Sequence, residues 1–414
     1  MPGYRVYNDV QGTSIMNSRL SLWVRSLLLF ALSLFAGSAL AGPNGQETDV
    51  YKLKVMTQNL YVGADVFRIF EGAPCGPFQS VYQIFETVQA TNFPERAEAI
   101  ADIVMREKPH VIGLQEVSLI RTQSPADGAI IVEGSPPNQT FRFLPNAESV
   151  VYDYLQLLMD ALAARGLDYV AVEDATSWNA DIEFPMATFD EFCDLASIPM
   201  DLRLTDRDVL LVRGDLSTAN AMSANFATNL PVAIDVGGPL PLAFEFTRGF
   251  GALDVTVGKY TYRIANTHLE VGDAGDPPSP LNLIQMLQTI ELIGAVSGTQ
   301  LPLTVIGDFN SSPSLLDPRP AYGMMTDADY LDLWTLRQGP FDPGFTCCQD
   351  EGLRNAVSAL DERIDLVLSR LPEGSDLMPI QSMVISERHN ERSASGLWPT
   401  DHAGVVTTLK FKQR

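Results

Sequence analysis

Positive charge is scarce in this sequence. Of its 414 residues 28 are basic, only six of them lysine, against 51 acidic residues and a net charge of −23. With no basic run, the chain is not one that grips nucleic acid or anionic lipid by bulk electrostatics. Histidine and cysteine are scarce too, four of each, and the cysteine spacing matches no zinc site. Glycine and proline, 30 and 27 residues, are too few for a collagenous or disordered chain. Apart from one run near the N-terminus, no apolar stretch approaches membrane-spanning length. What is present is a large apolar fraction, 46%, in a chain long enough to bury a sizeable core. An anionic substrate would meet a repulsive average field, and a bound divalent cation is the obvious local device against it.

The N-terminus reads as an address. Arg19 and Arg25 precede the apolar run Leu27 to Phe35, which leads into Gly37-Ser38-Ala39-Leu40-Ala41. A positive region, a short apolar region and an Ala-x-Ala site predict a signal peptide over 1–41, with Met16 as an alternative start. Cleavage would remove Arg5, Asp9, Arg19 and Arg25, a net +2, leaving residues 42–414 at −25. The expected mature product is one exported domain, secreted or periplasmic, with no membrane span. Disulfides then become the expected state of Cys75, Cys193, Cys347 and Cys348. Adjacent cysteines rarely bridge each other, so the 347–348 pair is expected to reach Cys75 and Cys193, with the pairing open.

Periodicity places strands at 51–60, 110–116, 168–173, 207–213, 251–257, 260–270, 303–307, 363–369 and 404–411, and helices at 94–108, 150–165 and 281–296. Three stretches, 61–93, 118–149 and 174–203, lack clear periodicity and are expected to be long loops. The first is rich in aromatics, which suit either a satellite core or a rim that meets lipid or stacks bases. A strand, helix and strand running from Gln58-Asn59 to Gln115-Glu116 is echoed by a second set running from Thr267-His268 to Gly307-Asp308-Phe309-Asn310. Two such halves packed sheet to sheet, helices outside, make a four-layer α/β sandwich with two mixed β-sheets.

Polar residues suited to metal and phosphate chemistry end these strands: Asn59, Glu116, His268, Asp308 with Asn310, and Asp365, with Asp401-His402 further on. Mg²⁺ prefers hard oxygen ligands and keeps several waters, so one or two carboxylates suffice. An aspartate can take a proton from water, and an imidazole oriented by a carboxylate can donate to a crowded phosphorus centre. Asparagine donates to phosphate without adding negative charge.

The segments QN (58–59), QE (115–116), THLE (267–270), GDFNSSP (307–313), RIDLVL (363–368) and TDHAGVV (400–406) resemble, in that order, the motifs of the endonuclease/exonuclease/phosphatase superfamily. That superfamily includes deoxyribonuclease I, apurinic endonucleases, neutral sphingomyelinases and inositol polyphosphate 5-phosphatases. The resemblance covers nearly all of 51–411 and implies the deoxyribonuclease I-like sandwich. It implies Glu116 as main Mg²⁺ ligand (Mn²⁺ able to substitute), with Asn59 beside metal and phosphate and Asp401 completing the metal's surroundings. Asp308 and Asn310 would handle the attacking water and the phosphoryl oxygens. Asp365 would hold His402, which faces the phosphate, and His268 would be the second imidazole of the diesterase branches. Two departures matter. Tyr61 stands where the family often has an acid, which favours a single metal. The partner of His268 is expected at Asp206 or Asp208. Glu362-Arg363-Ile364-Asp365 replaces the inositol phosphatase pattern and makes that activity a poor match. The implied function is a Mg²⁺-dependent hydrolase of phosphodiesters, nucleic acid or a sphingomyelin-type phospholipid, acting as a monomer without a protein partner. The alternatives are a catalytically silent binding scaffold of the same fold and a phosphomonoesterase.

Overall fold

Side-chain alternation along the strands decides the architecture. In the strand Val50–Asn59, Leu53 and Val55 enter one core and Met56 enters another. In the strand Leu195–Arg213, Leu210 and Val212 join the first core, Val209 and Leu211 the second. Strands buried on both faces must be covered on both faces. The computed structural model describes residues 50–413 apart from 72, 237, 274–278 and 315–316. The signal-peptide segment 1–41 therefore lies outside the described residues.

Two mixed sheets supply the central layers. In one, Val50–Asn59 lies between Gly404–Gln413, antiparallel, and Val111–Gln115, parallel, followed by Leu195–Arg213. In the other, Gly249–Val257 and Tyr260–His268 are antiparallel, Tyr260–His268 and Leu303–Asp308 parallel, and Asp365–Arg370 antiparallel to the last. Leu53, Val55 and Val111 pack against Ile264, Ile306 and Val367 between the sheets. The outer face of the first sheet is covered by the helices Phe93–Glu107 and Tyr154–Ala164. Pro280–Val296 and Ala321–Asp327 cover the second, over Ala265, Val305 and Leu368. Helix, sheet, sheet, helix is the four-layer α/β sandwich that the sequence suggested. The two echoed halves are its two parallel pairs: Asn59 lies opposite Gln115, and His268 opposite Asp308.

The three supposed loops hold structure. Pro77–Ala90 is a helix burying Val81, Ile84 and Val88; its aromatic flank, Phe78, Tyr82 and Phe85, blurs the apolar stripe. Within 118–149 lie Leu119–Gln123, Ile130–Glu133 and Thr140–Phe143. The stretch 174–203 is most of a long hairpin, Ser177–Phe189 paired with Leu195–Arg213. Its register shifts at Trp178/Asp181 and Met186/Thr188 destroy the two-residue period. Residues 149–153 are a strand rather than the start of a helix, because Val150 and Tyr152 pair with 119–122 and the Asp153 carboxylate caps Tyr154–Ala164. The cysteine expectation is also corrected. Cys75 bonds Cys193, with Cα atoms 5.0 Å apart, and Cys347 bonds Cys348. Backbone bonds from Thr346 and Cys347 to Glu362, and from Gln349 to Asp401, fix the adjacent pair in place.

One buried amide locks the sheets together. Gln115 Nε2 donates to Asn266 Oδ1 at 2.6 Å, and Asn266 Nδ2 donates to the Leu114 carbonyl at 2.9 Å. Gly113 makes room for it, since a Cβ there would collide with the Asn266 amide. Replacing Asn266 by Ala strands the Gln115 donor and the Leu114 carbonyl. Urea unfolding should show a loss of about 1–3 kcal/mol; unchanged stability would mean that the amide is incidental.

Candidate active site

All the singled-out residues meet at one edge of the sandwich, where strands from both sheets end. Asn59, His268 and Asp308 are the last residues of their strands, and Asp365 is the first of its strand, directly opposite Asp308. Glu116 and Asn310 follow strand ends in the left-handed backbone region, with φ of 53° and 46°, as does Tyr61 at 60°. Non-glycine residues rarely adopt that conformation, and such strain collects where function demands a particular direction. Gly307 precedes Asp308 because a Cβ there would run into the Thr267 carbonyl.

Asp308 is the hub. Its Oδ2 accepts from Asn59 Nδ2 at 3.2 Å and lies 3.6 Å from His268 Nε2 and 3.7 Å from His402 Nδ1. Its Oδ1 accepts from the Asn310 backbone N–H at 2.9 Å. Asn59 Nδ2 also reaches Glu116 Oε1 at 3.1 Å, and Val62 N–H donates to Glu116 Oε2 at 2.8 Å. His402 Nδ1 is 2.9 Å from Asp365 Oδ2, the pairing expected of these two. Glu116 and Asp401 line a cleft of about 450 Å³ together with Tyr61, Asp206, Arg248 and Cys348. Asp308, Asp365 and both imidazoles are buried beside them.

Burial and crowding set the charges. Burial, then the neighbouring Asp365, pushes the Asp308 carboxyl up to about 6. Burial, with Glu116 adding repulsion, pushes Asp401 up to about 7. For His402 burial acts downward, but Asp365, Asp401 and Asp308 outweigh it and hold the imidazole well above its ordinary value. His268 goes the other way: burial, with Arg248 and then His402, drives it well below, so it is neutral. Asp401 Oδ1 and Asp365 Oδ1 are buried without a hydrogen-bond partner among the described residues. Such orphaned hard oxygens suit a divalent cation.

Some positions that shape this edge carried no sequence signal. Arg248 is buried with Nη1 3.1 Å from His268 Nδ1, and it pairs with Glu270 at 3.5 Å. The expected acidic partners of His268, Asp206 and Asp208, lie within 4.8 Å of it. Its hydrogen-bond partners are instead Arg248 and, at 3.2 Å, Asn310 Nδ2. The two carboxylates face Asn179, whose amide satisfies one oxygen of each. The glutamines of QN and QE are clamps: Gln58 Nε2 donates to Thr400 Oγ1 and the His402 carbonyl, as Gln115 does to Asn266. Arg96, fully buried, ties the carbonyls of Leu60, Tyr61 and Pro399 together. Thr346 Oγ1 accepts from the N–H groups of Ile364 and Asp365, and its carbonyl accepts from Ala403 N–H. Only the rare Cys-Cys doublet beside it drew attention in the sequence.

A raised carboxyl pKa makes cation binding compete with protons. Without metal, Asp308 and Asp401 take up protons on folding between their ordinary range near 4 and about 6 to 7, so their contribution to stability falls as pH rises through that window. Above it both are ionised and the like-charge repulsion is fully present. Mg²⁺ should therefore raise the melting temperature more at pH 8 than at pH 5.5. An equal shift at both pH values in differential scanning fluorimetry would contradict this.

No protein-family model matches the sequence, and no curated protein matches it. Several solved structures are similar. Truncated Caenorhabditis elegans TDP2 is 13% identical, over 87% of this chain and 98% of that one, with a TM-score of 0.42. An endonuclease/exonuclease/phosphatase family protein from Bacteroides thetaiotaomicron is 13% identical over 88% and 96%, TM-score 0.46. The human Nocturnin catalytic domain with bound sulfate anion is 15% identical over 88% and 97%, TM-score 0.43. These are likenesses of fold, and the sandwich itself rests on the three cores described above.

Proposed function

We propose that the protein is an exported, Mg²⁺-dependent phosphodiesterase that hydrolyses its substrate by in-line attack of water. The observation that carries this reading is the Asp308 hub. A buried carboxylate raised to about 6 lies within 3.7 Å of two imidazoles of opposite charge state and accepts from two asparagines. The carboxylates around His402 favour its charged form, whereas burial and Arg248 keep His268 neutral, so a proton donor and a neutral imidazole face the same carboxylate.

Glu116 and Asp401 would hold the metal, with Asn59 beside them. When bound, the ion neutralises charge on the phosphoryl oxygens and steadies the departing oxygen. Asp308, ionised at neutral pH yet more basic than an ordinary aspartate, accepts a proton from the attacking water. His402 donates a hydrogen bond through Nδ1–H to Asp365 and keeps its charge, and its Nε2–H, 3.7 Å from Cys348 Sγ, is the group that would donate to a phosphoryl oxygen. Asn310 and Asn59 orient the hub through their amides. Arg248 supplies a second positive charge to the cleft from the His268 side. With one metal and one arginine, the site needs no second ion, in keeping with Tyr61 at the position of the absent acid. The Cys75–Cys193 bond fits an oxidising compartment. Among the described residues no helix is long and apolar enough to cross a membrane.

Chelation should abolish hydrolysis of bis-p-nitrophenyl phosphate, and Mg²⁺ or Mn²⁺ should restore it. Glu116→Ala should lower metal affinity and activity together while circular dichroism is unchanged. Full activity after exhaustive chelation would overturn the reading. His402→Ala should lower kcat by about 10²–10⁴ with little change in KM, because it acts on charge that develops in the transition state. A kcat equal to that of wild type would remove His402 from the chemistry.

A further inference from the structure

Beside the catalytic cleft lies a pocket of about 70 Å³, and every residue lining it is apolar. Its walls follow from strand alternation. Ile182 and Phe184 are two apart on Ser177–Phe189 and pair with Leu204 and Leu202 on Leu195–Arg213. Phe244 and Phe246 are likewise two apart on Leu242–Phe246. Ile69 from the helix Arg68–Glu71, with Val81 and Ile84 from Pro77–Ala90, adds a further wall. Val66, Leu204 and Phe246 line both this pocket and the cleft that holds Glu116, Asp401 and Arg248. The apolar pocket therefore adjoins the charged cleft, where a phosphate would sit, across these three shared side chains.

We propose that this pocket is a substrate subsite for a single alkyl chain, and that the substrate is a single-chain amphiphilic phosphodiester. The proposal rests on the phosphodiesterase reading above. A nucleobase or sugar in the pocket would give up its water without gaining a hydrogen bond, since no lining side chain offers one. An alkyl chain loses nothing polar and gains from burial. The cleft residues include one basic side chain, Arg248, already engaged with His268 and Glu270. That leaves charge for one phosphate and none for a polyanion's neighbouring phosphates. The small volume admits the end of one chain rather than two.

The test is a series of p-nitrophenyl alkyl phosphates, methyl, butyl and octyl, kept below micelle-forming concentration. Water adds to phosphorus, p-nitrophenolate departs and takes the bonding pair, and the alkyl phosphate remains. The kcat/KM should rise by roughly threefold to fourfold for each methylene that enters the pocket, then level off. Val81→Phe and Leu202→Phe, which fill the pocket, should flatten the series. An octyl phosphate bearing a diazirine at its tail should cross-link wild-type protein within 66–84, 182–204 or 244–246, which places the chain even where a filling variant fails to fold. A flat series on wild type, cross-linking elsewhere, or a rise that survives both filled pockets would overturn the subsite. So would faster cleavage of two-chain phosphatidylcholine vesicles than of a soluble single-chain lysophosphatidylcholine. Hydrolysis of none of the esters, methyl included, would instead defeat the phosphodiesterase reading.

Discussion

Several carboxylates buried at one edge of the sandwich are the constraint on which the rest depends. Asp308 and Asp365 sit out of water, with Glu116 and Asp401 half-buried at the cleft beside them, and like charges held in a poorly hydrated place repel unless cations or donors answer them. The chain answers part of this itself. His402 is held protonated against Asp365, Arg248 faces Glu270 and His268, and the side-chain amide of Asn59 and the backbone N–H of Asn310 donate into Asp308. The rest remains as orphaned oxygens on Asp401 and Asp365 and as carboxyls pushed up toward neutrality. That residue of unbalanced charge is the physical basis for assigning a divalent cation to this edge.

Such a cluster persists only if the strand ends cannot relax apart. The sheets are pinned by the Gln115–Asn266 amide contact beneath the site. The loops above are pinned by Gln58, Arg96 and Thr346, which bond to the backbone on both sides of Asp401-His402. These groups fix the backbone that carries Asn59, Tyr61, Asp365 and Asp401-His402, while Glu116 and Asn310 stand at neighbouring strand ends in left-handed conformations. In both short motifs the glutamine clamps, and the residue after it, Asn59 or Glu116, is the one that reaches the Asp308 cluster.

Much of this was legible in the sequence because strand ends are local. Asn59, Glu116, His268, Asp308, Asn310, Asp365 and His402 each follow or begin an apolar run, and the parallel pairing of the two halves brings them to one edge. What was not legible depends on long-range pairing. Arg248 precedes a strand without any motif, and only the pairing of Gly249 with His268 places it at the imidazole. The partner expected for His268 on 206–208 was displaced because Asn179, across the hairpin, takes up those carboxylates. That hairpin was itself hidden by its bulges, and the Cys347–Cys348 bond by the general rarity of adjacent pairing.

The central claim is that ionised carboxylates at this edge hold a divalent cation in competition with protons. Isothermal titration of Mg²⁺ into the metal-free protein at pH 6.5, in two buffers of different ionisation enthalpy, measures this directly. The account predicts binding at one site with net proton release, because Asp308 and Asp401 are partly protonated at that pH. Binding without proton release, or no binding at millimolar Mg²⁺, would contradict it.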